Sequence, residues 1–230
     1  ELPYSHLNLA KALHAKGELD AAASSYQTAL NIDNTLAEAW DSLGQLKVSQ
    51  KELPAAERCF RNIIALHPGD AGDAGAYHKL AAAVDEQERW QEAVELYTKA
   101  TELQPDLAEA WNNLGVIQQR HGQLKESALS YRKALAAKPD YAVAHHNLGT
   151  ALHEQGSYTE AQHQFHKAIQ IDPDYIEAKT ALGRTLHTLG RFSDGIECYE
   201  QALAIDRRNT EALIGLGNAL QSEGRFDGAY

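Results

Sequence analysis

The sequence predicts an all-α fold in which antiparallel helix pairs repeat along the chain and stack as an α-solenoid. The first observation is a Leu-Gly or Leu-Ala pair that recurs every 34 residues, with one step of 37, at Leu9, Leu43, Leu80, Leu114, Leu148, Leu182 and Leu216. The second is that apolar and small residues within each period follow the spacing of one helix face. Because one helix pair cannot bury its own apolar face, neighbouring pairs are expected to stack.

The period divides the chain into seven units, and we expect them to form a single solenoid domain over residues 1–230. The units are 3–36, 37–70, 74–107, 108–141, 142–175, 176–209 and 210–230, and the last is incomplete. Residues 71–73 form an insertion within "HPGDAGDAGAY", 67–77, whose Gly and Asp residues are typical of a longer, flexible loop. The insertion is either a tolerated surface extension or a functional loop.

Each unit is predicted to contain a helix A and a helix B that are joined by a turn and fitted together by size. A glycine between the two halves favours the turn at Gly17, Gly122, Gly156, Gly190 and Gly224. A Gly or Ala follows the repeating Leu of helix A. An aromatic ring of helix B is expected to fill the space that this small residue leaves, at Tyr26, Phe60, Tyr97, Tyr131, Phe165 and Tyr199.

These columns combine into one recurring motif. It reads W-x2-L-G, as in 111–115, then A-x3-F, as in 161–165, with a late Pro, as at Pro139 and Pro173. With its period of 34 residues, the pattern resembles the tetratricopeptide repeat (TPR) family from residue 3 to residue 230. The resemblance implies a right-handed superhelix whose A helices line a concave groove. The chain resembles more weakly the TPR arm of O-linked N-acetylglucosamine transferase.

Composition and charge argue against several classes of protein. The net charge is -11 and the pI is near 5.4, so the excess of Lys and Arg that nucleic acids or anionic membranes require is missing. No apolar run approaches the roughly 18 residues of a membrane-spanning helix, so no membrane insertion is expected. The chain has no Met, which predicts a piece of a longer or processed protein. An intracellular location, cytoplasmic or nuclear, is favoured.

No catalytic, cofactor or metal site is predicted. Phosphate-binding loops, GxGxxG and HExxH do not occur, and Cys59 and Cys198 are too isolated for a CxxC site. Among the 11 histidines, His163 and His166 have the i, i+3 spacing that can bind a metal. His145 occupies the column that Trp fills in two other units. With no Cys nearby, packing or solvated histidines are the preferred interpretation.

The candidate ligand site follows from the resemblance, which implies that the second, fifth, sixth, ninth, twelfth and thirteenth positions of each unit face the groove. The candidate peptide-binding residues there are Asn8, Lys11, Lys79, Asn112, Asn113, His146, Asn147, His153 and Arg184. The family resemblance suggests two binding modes. The carboxylate clamp, which grips the C-terminal carboxylate of a peptide, requires a set of Lys, Asn and Arg that no three adjacent units supply. The asparagine ladder, which holds an extended peptide by its backbone, requires Asn at successive sixth positions and is partly present. The alternative is that these Asn residues are only soluble fillers.

The preferred function is a protein-interaction scaffold that binds an extended peptide or a helix, with no catalysis in this chain. Two alternatives stay open. The chain is the substrate-recognition arm of a larger, glycosyltransferase-like enzyme, or it is a scaffold that self-associates through its uncapped C-terminal repeat. If the ladder operates, replacing Asn113 and Asn147 by Ala should weaken partner binding without lowering thermal stability.

Overall fold

The computed structural model describes residues 2–66 and 71–224, which form thirteen α-helices and no β-strand within these ranges. The helices are α1 (Pro3–Ala15), α2 (Leu19–Ile32), α3 (Ala37–Ser49), α4 (Leu53–Leu66), α5 (Ala74–Asp85), α6 (Trp90–Leu103), α7 (Ala108–Arg120), α8 (Leu124–Ala137), α9 (Ala142–Glu154), α10 (Tyr158–Ile171), α11 (Ile176–Thr188), α12 (Phe192–Ile205) and α13 (Thr210–Ser222). A 3-10 helix, Ala71–Asp73, precedes α5. Within the described ranges, no helix has the length and apolarity needed to cross a bilayer.

Consecutive helices pack against each other as pairs, for example α1 with α2, α5 with α6 and α9 with α10. This pairing confirms the predicted all-α fold. The A helices begin at the first residue of each predicted repeat, namely Pro3, Ala37, Ala74, Ala108, Ala142, Ile176 and Thr210.

The turn between paired helices contains a residue in the left-handed backbone region. In the first pair, Gly17 has a φ of 81°, and the N–H of Glu18 donates to the carbonyl of Leu13 at 3.0 Å. This bond back across the helix end satisfies a carbonyl that the helix itself leaves unpaired. Lys51 and Glu88 take the glycine's place in the next two pairs, with φ of 59° and 63°. A side chain in this region costs roughly 1–2 kcal/mol.

A glycine in helix A and a ring in helix B set the distance between paired helices. A Cβ added to Gly115 would lie 2.6 Å from the ring of Tyr131, and one added to Gly149 would lie 2.7 Å from the ring of Phe165. Both rings are buried. Since protein interiors have no room for such overlap, the two helices approach this closely only because the position lacks a side chain. The predicted fit of small residue to aromatic ring is confirmed at these pairs.

The chain divides into two compact units, one up to Ala110 and one from Trp111 onward. The first contains α1 to α6, and its core includes Leu7, Tyr26 and Leu43. The second contains α8 to α13 and most of α7, and its buried clusters include Phe165 and Tyr199. The single domain over residues 1–230 stays a prediction.

The insertion is not an open loop where the structure describes it. Residues 71–73 form the 3-10 helix, which packs against α5 and α6, so the expected flexible loop is corrected for these three residues. Asp73 is only 4% exposed. Residues 67–70 of the expected loop lie outside the described residues. So does the end of the seventh repeat, 225–230.

Candidate functional site

The candidate residues lie on the first helices of the pairs, on a surface of each compact unit that we call its A face. It comprises the side chains at the second, fifth, sixth, ninth, twelfth and thirteenth positions of each repeat. In the first compact unit, which ends at Ala110, the candidates on this face are Asn8, Lys11 and Lys79. In the second compact unit they are Asn112, Asn113, His146, Asn147, His153 and Arg184. Below, the first and second unit are these two compact units.

In the first unit, ion pairs connect neighbouring A helices. Lys11 Nζ on α1 lies 2.5 Å from Glu38 Oε1 on α3, and Lys79 Nζ on α5 lies 2.5 Å from Asp41 Oδ1 on α3. Both predicted cations therefore pair with a carboxylate of a neighbouring A helix. Asn8 is exposed on α1 and is not brought together with either pair. In the first unit, the two candidate cations thus contact carboxylates, and Asn8 lies apart from them.

In the second unit, three amides form a hydrogen-bonded chain across two A helices. Asn147 Nδ2 on α9 donates to Asn112 Oδ1 on α7 at 3.0 Å, and Asn112 Nδ2 donates to Asn113 Oδ1 at 3.4 Å. Asn112 is 4% exposed, so it lies under the surface and not open to a ligand as the sequence suggested. Its role is to orient Asn113 and Asn147, because it bonds to both.

His146 lies beside this amide chain and is neutral near pH 7. Its ring packs against Phe165 and Tyr175, with centroid distances of 5.8 and 5.2 Å. Burial lowers the pKa of His146 below its ordinary value. Its Nδ1 is buried without a hydrogen-bond partner among the described residues. His146 therefore contributes an uncharged aromatic surface to the A face.

His153 and Arg184 continue the A face toward α11 and α13. His153 Nδ1 lies 3.0 Å from Thr185 Oγ1, and burial, followed by the positive charge of Arg184, lowers the pKa of His153. Arg184 Nη1 lies 3.0 Å from Glu211 Oε1, and both side chains are about half exposed. An exposed pair of this kind adds at most about 1 kcal/mol to stability. The Arg184–Glu211 pair and the Lys11–Glu38 pair each join the ninth position of one repeat to the second position of the next.

A shallow groove of about 320 Å³ opens between α7 and α9. Its lining residues are Val116, Gln119, Arg120, Tyr131, His146, Asn147, Thr150 and Glu154. Two of the predicted residues, His146 and Asn147, therefore share a wall of this groove. The volume lies within the range of small-ligand and side-chain pockets.

A second polar chain, which the repeat pattern did not predict, runs along this groove. The Tyr131 hydroxyl on α8 donates to Gln119 Oε1 at 3.0 Å, and Gln119 Nε2 donates to Glu154 Oε1 on α9 at 3.1 Å. The aromatic column predicted only a packing role for Tyr131. The signal that was available is a Gln at the twelfth position of one repeat facing a Glu at the thirteenth of the next.

The remaining histidines of the fifth repeat are packing or surface groups. The two ring nitrogens of His145 lie 2.8 Å from Gln164 Oε1 and 3.0 Å from the carbonyl of Pro139. Trp40, in the same column, donates to the carbonyl of Asn34 at 2.9 Å, so His145 keeps the contact that Trp makes there. Among residues 2–66 and 71–224, no group of three or more His, Cys, Asp or Glu side chains is arranged to hold a metal ion.

Two family models match the sequence, and both describe the same repeat. The one described as "Tetratricopeptide repeat" matches residues 140–208, and the one described as "TPR repeat" matches residues 10–51, 86–122 and 120–156. Together they cover more than half of the chain. The fold and these matches define an α-helical repeat scaffold for protein–protein interaction, a class that is generally not enzymatic. The chain belongs to the tetratricopeptide repeat family.

Curated relatives match over part of the chain. The tetratricopeptide repeat-containing protein trd-1 of Caenorhabditis elegans is 33% identical over 91 residues, which is 40% of this chain and 11% of that protein. The chloroplastic protein PYG7 of Arabidopsis thaliana is 28% identical over 108 residues, which is 46% of this chain and 36% of that protein. The matches thus span about a tenth and about a third of these relatives.

Solved structures share the fold over most of the chain. YrrB, described as a TPR protein with an unusual peptide-binding site, superposes with a TM-score of 0.68 at 21% identity, covering 84% of this chain and 97% of that one. PilF of Pseudomonas aeruginosa superposes with a TM-score of 0.76 at 16% identity, covering 96% and 97%. At these identities the likeness shows the fold alone.

Proposed function

We propose that the A face of the second unit binds an extended peptide of a partner protein through the peptide's backbone. The observation that carries this proposal is the amide chain from Asn147 through Asn112 to Asn113. A carboxamide offers both donors and an acceptor, so it can bond a peptide group much as a neighbouring strand does. Backbone recognition of this kind tolerates many side chains in the partner.

Asn147 has the bonding capacity that this role requires. One of its N–H groups is used by Asn112. Within the described residues, its second N–H and its Oδ1 have no recorded partner, and the side chain is partly exposed. These two groups match the carbonyl and the N–H of one peptide unit. Because the hydrogen bond to buried Asn112 already orients the Asn147 side chain, little side-chain freedom is lost on binding.

The surroundings suit a peptide backbone, which carries no charge. His146 and His153 are neutral near pH 7 because their pKa values are lowered. Arg184 is paired with Glu211. The groove beside Asn147 has room for a side chain of the bound segment. The peptide-binding site by which YrrB is described agrees with this use of the fold.

The test compares matched asparagine variants for binding of a short peptide selected from a random library on the intact chain. Asn113→Ala with Asn147→Ala should weaken binding at least tenfold by fluorescence anisotropy. Asn31→Ala makes the same change at an exposed position of α2, and it should leave the affinity within twofold. Equal affinities for the double variant and the unchanged chain would overturn the proposal.

The structure changes one expectation for this experiment. Asn147→Ala leaves the buried Oδ1 of Asn112 without its donor, so the variant should lose stability as well as affinity. The expectation of unchanged thermal stability is therefore corrected. Affinity has to be measured at a temperature where circular dichroism shows the variant fully folded. A loss of binding by the folded variant then reports the contact itself.

The two alternative functions stay predictions. An arm of a larger, glycosyltransferase-like enzyme is tested by assaying transfer activity with the longer protein, in which the double Asn variant should lose a substrate. Self-association is tested by light scattering over a range of concentrations. A mass that rises with concentration supports it, and a constant mass contradicts it.

A further inference from the structure

A second cleft lies in the first unit, away from the A face, between the B helices α2 and α4. Its volume is about 440 Å³, larger than the groove beside Asn147. The residues that line it include Ala23 on α2, Trp40 and Leu43 on α3, and Ala55 and Cys59 on α4. These five apolar residues share the cleft with six polar or charged ones, Ser24, Gln27, Lys47, Glu52, Arg58 and Asn62, so one part of the lining is apolar and the rest is polar. The cleft is therefore able to receive an apolar side chain.

At two corresponding places in the chain, an ion pair joins neighbouring B helices. In the second unit, Arg132 on α8 lies 3.3 Å from Glu160 on α10. These residues hold the twenty-fifth position of one repeat and the nineteenth of the next. The same two positions carry Arg61 and Glu92 on α4 and α6, which lie 2.6 Å apart.

At the open cleft, the twenty-fifth and nineteenth positions are Gln27 and Ala55. Alanine cannot pair with Gln27, so no bridge crosses from α2 to α4 at this place. A second difference adds to the opening. Gln164, which approaches the His145 ring in the second unit, is replaced by the shorter Cys59. These two differences distinguish the cleft from the two places at which an ion pair joins the B helices.

The charges around the cleft identify the chemistry of what binds. Lys47 pairs with Glu52 at 2.9 Å, so these two lining charges cancel. Arg58 is exposed at the cleft and has no recorded partner within residues 2–66 and 71–110. Seven of the nine Lys and Arg residues of the first unit pair with carboxylates in those ranges, so an unpaired Arg is unusual there.

We infer that the α2–α4 cleft is a docking site for an acidic peptide segment of a partner protein, in which an apolar side chain stands next to a carboxylate. The apolar side chain enters between Ala23 and Ala55 and packs against Trp40. The carboxylate pairs with Arg58, whose planar group can donate two parallel hydrogen bonds to it. This surface is separate from the A face, so its test is independent of the function proposed above.

The experiment titrates the intact ¹⁵N-labelled chain with two capped tripeptides, Asp-Phe-Asp and its uncharged counterpart Asn-Phe-Asn. The readout is the indole N–H resonance of Trp40. Asp-Phe-Asp should shift it saturably, and Asn-Phe-Asn should bind about two- to fivefold more weakly, the range expected for an exposed ion pair. Equal binding of the two peptides would remove the acidic partner.

Two variants test the site itself. Gln27→Arg with Ala55→Glu installs the bridge that Arg132 and Glu160 form, and it should weaken Asp-Phe-Asp at least tenfold. Arg58→Gln alters only an exposed side chain, and it should lower the affinity for Asp-Phe-Asp to that for Asn-Phe-Asn. Unchanged binding by either folded variant would overturn the inference.

Further readouts distinguish binding at the α2–α4 cleft from binding at the A face and from association with a second copy of the chain. Asn147→Ala should leave the Trp40 titration unchanged. Asp-Phe-Asp that shifts the amide resonance of Asn147 but not the indole resonance of Trp40 would contradict the cleft site. A concentration-dependent dimer that disappears in the Gln27→Arg, Ala55→Glu variant would assign the cleft to a second copy and overturn the proposed partner.

Discussion

The two compact units share their helix pairs but differ in the chemistry of the A face. The first unit connects its A helices by ion pairs, Lys11 with Glu38 and Lys79 with Asp41. The second connects α7 to α9 by the amides of Asn112 and Asn147. The first unit also carries 18 acidic and 9 basic residues, whereas the second carries 14 and 12. On the A face, the first unit pairs both candidate lysines with carboxylates, while the second presents neutral amides between α7 and α9.

This difference separates residues that make the fold from residues that select a ligand. Leu43 and Leu114 hold the same position in the two units, and both are buried. The pair that follows Trp in helix A changes from Asp41-Ser42 to Asn112-Asn113. Positions that repeat therefore pack the helices, and positions that do not repeat decide what each A face can bind.

The largest effect is expected at the shared core position. Leu43→Ala and Leu114→Ala should each lower the free energy of unfolding by roughly 2–5 kcal/mol, because each removes a buried side chain and leaves a cavity. Urea unfolding followed by circular dichroism measures both. Leu129→Ala, on an exposed side chain, should change stability by no more than about 0.5 kcal/mol. A large cost in only one unit would break the claim that this position is equivalent in both.

The next effect should separate the two A faces. Asn147→Ala should cost about 1–3 kcal/mol, because it leaves the buried Oδ1 of Asn112 unpaired. Lys79→Met should cost about 1 kcal/mol or less, because its ion pair with Asp41 is partly solvated. Both variants are compared with the unchanged chain by urea unfolding at two salt concentrations. If Lys79→Met proves the costlier change, the contrast between the two faces is wrong.

The turns offer a smaller comparison. Glu88→Gly in the first unit should raise stability by up to about 1 kcal/mol, because it relieves a side chain held at φ 63°. Gly122→Ala in the second unit should lower it by about 1 kcal/mol, because it places a side chain at φ 75°. Thermal unfolding measures both shifts. Changes of the same sign would contradict this reading of the turns.

The smallest effect concerns pH and a feature that the units share. His78 and His146 hold the fifth position of their repeats, and burial lowers the pKa of each below 6.5. As the pH falls through 6.5, the unfolded chain takes up protons that the folded chain refuses, so stability should fall until the folded pKa is passed. Acidification from about pH 7.5 to about 5.5 spans this window.

His78→Phe and His146→Phe keep an aromatic ring and remove the titrating group. Each variant should lose less stability than the unchanged chain over this window, as measured by urea unfolding at each pH. The groups that act on His146 from neighbouring helices are Glu177, which opposes the pKa shift, and Arg184, which adds to it. Identical pH profiles for both variants and the unchanged chain would contradict the assignment.

The sequence predicts the fold well because each packing column can be compared with itself. Leu, Gly and the aromatic ring recur at fixed positions, so the packing residues of one repeat predict those of the next. The candidate site is predicted only in outline. Asn112 and Asn147 are 35 residues apart, and they join the fifth position of one repeat to the sixth of the next. A column shows which residues share a position, but not which side chains of different columns meet.

The same limit applies to Lys79 and to the α2–α4 cleft. Lys79 looks like a free cation in its column, but it pairs with Asp41 from the preceding repeat. Ala55 on α4 and Gln27 on α2 both line the cleft. That pairing spans two repeats and two different positions. Contacts of this kind depend on side-chain direction, which the period alone does not give.

The most direct test of the central claim is to follow the side-chain amides of both A faces in one titration with the library-selected peptide. We expect the Nδ2 resonances of Asn113 and Asn147 in the second unit to shift with the bound fraction, while that of Asn8 in the first unit stays in place. A shift at Asn8 with none at Asn147 would contradict the claim that the amide chain of the second unit binds the peptide.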